Sequence, residues 1–121
     1  MPSFRNRTGL SAEIAAAAEL GRLGYRIVAS NYRCRRGEID LVAFDGDTLV
    51  FIEVRSKRTD RYGTPAESVT RSKQEKLVAT AEHYLDTHGI KDVQCRFDVV
   101  EVTPVAGKLA VKNVIRDAFT A

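Results

Sequence analysis

Two runs of β-forming residues, Ile39 to Phe44 and Thr48 to Arg55, flank Asp45-Gly46-Asp47 and read as a β-hairpin. Apolar residues fall on both faces of each run, as in central strands covered on both sides. Upstream, Ser11 to Leu23 predicts a helix. Ser11 can cap it, Ala and Leu favour it, Leu10, Ile14, Ala17 and Ala18 supply an apolar stripe, and Gly24 stops it. Tyr25 to Ser30 carries β-formers and reads as a strand, and Asn31 to Gly37 as a basic turn. Downstream, Lys57 to Pro65 is polar and reads as a loop. Ser72 to His88 predicts a second helix with Leu77, Val78, Ala81, Tyr84 and Leu85 on its core face and Gly89 at its end. Val93 to Thr103 reads as a strand, Pro104 to Lys108 as a turn, and Leu109 to Ile115 as an edge strand. The order α-β-β-β-α-β-β makes an α/β domain, a mixed central sheet flanked by helices.

The hairpin register carries the chemistry. A two-residue turn at Gly46-Asp47 pairs Asp45 with Thr48, and the ladder continues with Phe44 opposite Leu49, Val42 opposite Phe51, Asp40 opposite Glu53 and Glu38 opposite Arg55. One face then holds Phe44, Val42, Leu49 and Phe51 and ends in those charged pairs. The other holds Ile39, Leu41, Ala43, Val50, Ile52 and Val54. Opposed Cβ atoms lie about 4.5–5.5 Å apart, and like charges there destabilise a sheet. Something must offset the repulsion between Asp40 and Glu53. A divalent Mg²⁺ or Mn²⁺ ion does so, taking carboxylate oxygens and keeping waters for chemistry. A salt-bridge cluster with Arg55 or Arg35 does so too, and the pairing by itself does not choose between them.

Arg55, two residues beyond Glu53, shares its strand face, where it can steady charge on a phosphate or pair with Glu38. Glu13 sits among Ala16, Ala17 and Leu20 on the first helix and is either a further ligand or a first-turn acid favoured by the helix dipole. Lys73 and Gln74 open the second helix, where backbone N–H groups suit phosphate. His83 and His88 lack partner spacing and read as surface or helix-end residues. No Gly-rich phosphate loop, nucleophile elbow or Cys/His metal cluster competes.

Charge adds a partner. The net charge is +3, but residues 1–76 hold 14 Lys and Arg against 10 Asp and Glu, while residues 77–121 hold 5 against 6. The basic groups cluster at Arg33, Arg35 and Arg36, at Arg55, Lys57, Arg58 and Arg61, and at Arg71, Lys73 and Lys76, and such clusters can hold phosphates; an ordinary solvated surface is the alternative. The length of 121 residues suits a single domain. No apolar run is long enough to span a bilayer, and Cys34 and Cys95 have no metal-ligand spacing. The chain therefore reads as cytoplasmic, without a membrane partner and with free thiols.

The motifs Gly37-Glu38-Ile39-Asp40-Leu41 and Phe51-Ile52-Glu53-Val54-Arg55 resemble the YraN-like family of uncharacterised bacterial proteins. Gly9 and Glu13, Gly24-Tyr25, Asn31-Tyr32-Arg33, Gly63, Lys73 with Leu77, Arg96-Phe97-Asp98-Val99-Val100 and Ala118-Phe119 extend the resemblance over nearly the whole chain. That family is assigned to the restriction-endonuclease-like fold and is similar to archaeal Holliday-junction resolvases. The resemblance implies a metal-dependent endonuclease acting on DNA, with branched DNA as a substrate class. It implies a site of Glu13, Asp40, Glu53 and Arg55, with Gln74 joining it in some relatives. Asp40 and Glu53 would hold Mg²⁺ or Mn²⁺ with the backbone carbonyl of Val54 as third ligand. Arg33, Arg35, Arg36, Lys57, Arg58, Lys73, Gln74 and Lys76 would grip nucleic acid, and a homodimer would serve two strands. One departure stands out. The superfamily pattern is Glu-x-Lys, and position 55 holds an arginine, which stays protonated and is a poor general acid or base. Lys57, two residues further along, is the expected substitute if the strand extends that far.

Overall fold

The computed structural model describes the backbone of residues 4–56 and 69–120, with side chains from Ser11 onward. The elements follow the expected order: α1 (Phe4–Arg22), β1 (Arg26–Cys34), β2 (Gly37–Asp45), β3 (Thr48–Ser56), α2 (Arg71–Thr87), β4 (Cys95–Val105) and β5 (Lys108–Phe119). The five strands form one sheet in sequence order. β3 and β4 run parallel and every other neighbouring pair antiparallel. A parallel pair needs a long crossover, and α2 lies within it.

Each helix covers one sheet face. Ala12, Ala16 and Leu20 of α1 pack with Tyr25, Leu41, Ala43, Val50, Ile52, Val100 and Val102. Leu77, Ala81 and Tyr84 of α2 pack with Ile39, Val42, Leu49, Phe51, Val69, Phe97 and Val99. Fully burying a side chain such as Phe51 or Leu49 contributes roughly 1.5–3 kcal/mol, so these two clusters hold the helices to the sheet.

The hairpin follows the expected register from Asp45↔Thr48 through Phe44↔Leu49 and Val42↔Phe51 to Leu41↔Ile52, but the expected pairs Asp40↔Glu53 and Glu38↔Arg55 do not form. Several expectations need correction. The first helix begins at Phe4, so Ser11 lies inside it and does not cap it. Its buried stripe is Ala12, Ala16 and Leu20, while Ile14 is 62% exposed and Ala18 is exposed too. An alanine-rich helix offers little size contrast, and close approach to the sheet favours its small residues. The segment read as a turn from Asn31 to Gly37 is mostly strand: β1 runs to Cys34, which pairs with Gly37, and the turn is Arg35-Arg36. Polar residues there belong to an edge strand, where solvent takes one side. β4 is shifted two residues on, to Cys95–Val105, and so runs through Pro104, while β5 extends to Phe119, longer than expected. Pro104 is tolerated beyond Val102, the last β4 residue paired with β3.

Ile39 is the correction that bears on function. It packs in the α2 cluster, whereas Leu41, two residues on, packs in the α1 cluster. Strict alternation would place both on one face, so the alternation resets at Asp40. Cys34 and Cys95 are free thiols, as expected. Among the described residues no helix is long and apolar enough to cross a membrane.

Candidate functional site

The β2–β3 register ends at Leu41↔Ile52. Past it, β2 stays paired with β1 out to Gly37 and β3 with β4 out to Ser56. Asp40 and Glu53 are the next residues along. The Val54 N–H donates to Asp40 Oδ2 at 2.7 Å, so a carboxylate occupies the place where strand pairing stops. Glu53 follows Phe51 on the α2 side of β3 and is only 7% exposed.

The electrostatics are those of crowded acids. Burial, then the charge of Glu53, push the Asp40 carboxyl up to about 7. The Val54 N–H opposes the shift, and the charge and a side-chain hydrogen bond of Glu13 add to it. Burial likewise raises Glu53, against the pull of Lys73 and Arg55 and with a further push from Glu38. Three predicted site residues therefore meet at Asp40, from α1, β2 and β3. Arg55 is close enough to act on Glu53. Glu38 pairs with Arg33 at 3.0 Å across the β1–β2 ladder.

The predicted phosphate-binding residues divide into groups. Arg35 and Arg36 form the exposed β1–β2 turn. The next residue, Gly37, packs on α2: a Cβ there would stand 3.8 Å from Lys76 Cβ and 3.0 Å from Thr80 Oγ1. That contact sets the arginine turn beside Lys76, at the end of β2 that leads to Asp40. Lys73 turns inward, with Nζ 3.6 Å from Glu53 Oε1. Gln74 donates its amide to the Val69 carbonyl at 2.9 Å and lines a cleft with Arg71, Glu75 and Phe119. Lys57 and Arg58 lie outside the described residues, and with them the expected substitute for Arg55.

The sequence reading does not single out Glu101. This acid is 2% exposed, is the β4 partner of Arg55, and has Oε1 3.9 Å from Lys112 Nζ. The available signal was one acid inside the apolar run from Val99 to Val102. Nor does it foresee the network at the hairpin end of the α1 face. There Asp98 accepts from the Tyr25 hydroxyl at 2.7 Å, from Arg96 Nε at 2.9 Å and from the Asp117 N–H at 2.9 Å. Arg96 also reaches Asp45, and Arg116 donates to the Tyr25 hydroxyl. Asp98 is thus saturated with donors from its own chain.

Among the described residues no group of three or more His, Cys, Asp or Glu side chains is arranged to hold a metal by itself. Mg²⁺ asks for less, since it ordinarily binds through one or two carboxylates and keeps several waters. Asp40 and Glu53 meet that requirement: both offer hard oxygens, and their raised proton affinities mark a place where added positive charge is favourable.

Comparison with known proteins places relatives alongside this site. The model of the family described as "Uncharacterised protein family UPF0102" matches residues 12–102, a span that includes Glu13, Asp40, Glu53, Arg55 and Lys73. A UPF0102 protein of Symbiobacterium thermophilum is 51% identical over 115 residues, covering 95% of this chain and 98% of the relative. One from Moorella thermoacetica is 46% identical over 120 residues, covering 98% and 100%. Another, from Xanthomonas axonopodis pv. citri, is 45% identical over 122 residues, covering 100% and 98%.

Proposed function

The chain belongs to the uncharacterised protein family UPF0102, and we propose that it is a metal-dependent endonuclease that hydrolyses DNA phosphodiester bonds, with branched DNA as the substrate class. The observation that carries this reading is the meeting of two carboxylates, the half-buried Asp40 and the buried Glu53, where β2 and β3 stop pairing. Their mutual repulsion costs stability, and Mg²⁺ or Mn²⁺ would remove that cost.

In this reading Asp40 and Glu53 hold the ion, with the Val54 carbonyl as a third ligand. The Val54 N–H orients Asp40. The ion supplies Lewis acidity and a bound water of lowered pKa. Arg55 stabilises charge building on the scissile phosphate. Glu13, at Asp40 from the α1 side, tunes how readily Asp40 ionises. Arg33, Arg35, Arg36 and Lys76 hold the phosphate backbone without reading its sequence. Two copies acting as a symmetric dimer would serve the two strands of a junction.

One observation favours a second reading, a nucleic-acid-binding domain of the same fold that has lost efficient chemistry: position 55 holds an arginine, which does not exchange protons at neutral pH. The deciding experiment titrates Mn²⁺ and Mg²⁺ calorimetrically into wild type and Asp40→Asn, and assays both on linear, flapped and four-way DNA. Metal binding and cleavage that disappear together in the variant support the nuclease. Salt-sensitive DNA binding without metal uptake leaves the binding domain.

A further inference from the structure

We propose that Lys73 is the exchangeable cation of the site: it neutralises Glu53 while no divalent ion is bound, and turns to a substrate phosphate when one is. This rests on the nuclease reading above and gives it a mobile positive group from a different element. Lys73 Nζ stands 3.6 Å from Glu53 Oε1, and the two side chains differ in setting: Lys73 is 39% exposed and Glu53 9%. The ammonium thus reaches in from the solvent side to a buried acid.

The start of the residue is fixed while its tip is free to swing. The Lys73 N–H donates to Thr70 Oγ1, the N-cap of α2, at 3.2 Å. That bond anchors the first turn of the helix and the Lys73 Cα with it. Beyond lies a flexible four-carbon stem carrying a compact charge. The same helix terminus carries the positive end of the dipole, which favours an anion close by.

A divalent ion and the ammonium would seek the same Glu53 oxygen. Two cations sharing one carboxylate repel, and the divalent ion carries the larger charge. Binding of the ion therefore releases Lys73, whose tether keeps it beside the site where a phosphate would lie. Of the other basic side chains among the described residues, Arg33 is tied to Glu38, Arg71 to Glu75, and Arg96 to Asp45 and Asp98, while Arg55 acts on Glu53 from its own strand. No change in the protonation of Lys73 is required.

The test uses the full chain as wild type, Lys73→Met and Lys73→Arg, with Mn²⁺ alone and with a four-way DNA junction in Ca²⁺ as probes. Methionine keeps the length of the stem and removes its charge. Calorimetry should show Mn²⁺ binding about 2–5-fold tighter in Lys73→Met, because the competing cation is gone. Junction affinity should fall by about tenfold or more in the same variant, as a charged contact is lost, and Lys73→Arg should recover most of it. Opposite signs of the two effects are what a merely structural ion pair would not give. Wild-type Mn²⁺ uptake with no change in Lys73→Met, or a loss of both affinities together, overturns the exchange and leaves the nuclease reading standing. No Mn²⁺ uptake by wild type, with or without DNA, overturns both.

Discussion

The Val54 N–H donates to the carboxylate of Asp40 at 2.7 Å, across two strands whose Cα register has already ended at Leu41↔Ile52. A side chain has taken over where the backbone ladder stops. The bond fixes one oxygen of Asp40 and holds the group close to Glu53, although the charge of Glu53 raises the cost of ionising Asp40. The position of Ile39 in the α2 cluster, against Leu41 in the α1 cluster, is the packing counterpart of this change of role.

Asp40→Asn should stabilise the metal-free protein, and more so at alkaline pH. The folded-state value of about 7 lies above the ordinary aspartate value of 3.8. Between those values the folded protein holds a proton that the unfolded chain has lost. Stability linked to Asp40 is therefore fully present below about 3.8 and falls as pH rises to about 7. Thermal denaturation at pH 5 and pH 8 should show the variant gaining several degrees at the higher pH and less at the lower. Equal gains at both would remove Asp40 from the cause.

Mn²⁺ should raise the melting temperature of wild type, by an amount worth about 2.7 kcal/mol at a hundredfold excess over Kd. Because the ion needs ionised ligands, its affinity should climb as pH passes through about 7 and level off above. Protons released on binding are countable from calorimetry in buffers of different ionisation enthalpy. Glu53→Gln should abolish the thermal shift; a shift that survives would place the ion elsewhere.

Asp98→Ala should cost roughly 3–5 kcal/mol, because it strands the charge of Arg96 and the polar groups of Tyr25 and Asp117 in a part-buried setting. Tyr25→Phe removes one hydroxyl from the same network and should cost about 1–3 kcal/mol. Urea unfolding reads both. If the aspartate variant matched the phenylalanine variant, the network would be no more than the sum of neutral hydrogen bonds.

Gly37→Ala should destabilise by about 1–3 kcal/mol. The φ of Gly37 is 153°, and an added Cβ would come to 3.0 Å of Thr80 Oγ1. Thr80→Ala in the same chain should recover part of the loss, which a purely conformational penalty would not allow.

The hairpin was legible because a period of two and a Gly46 turn leave few registers, and that register runs to Leu41↔Ile52, one step short of Asp40 and Glu53. Glu13 was legible as an acid on the side of α1 that holds Ala16 and Leu20. The start of α1 and its true stripe were not, since among alanines the hydrophobic period has almost no amplitude. β1 was cut short because exposed edge residues such as Arg33 look like loop residues. The turn of Ile39 to the α2 side was hidden, since alternation is the very assumption used to assign faces. The Lys73–Glu53 pair joins the strand before the crossover to the helix within it, and no local spacing encodes that distance.

Asp98 and Asp40 make the last comparison. The first is coordinated on every side by donors of its own chain: a phenol, a guanidinium and an amide. The second receives one backbone amide and two neighbouring acids of its own sign. In the language of coordination chemistry, Asp98 is a filled shell and Asp40 has residual valence. A fold that completes one buried aspartate and leaves another wanting has set where chemistry from outside can enter.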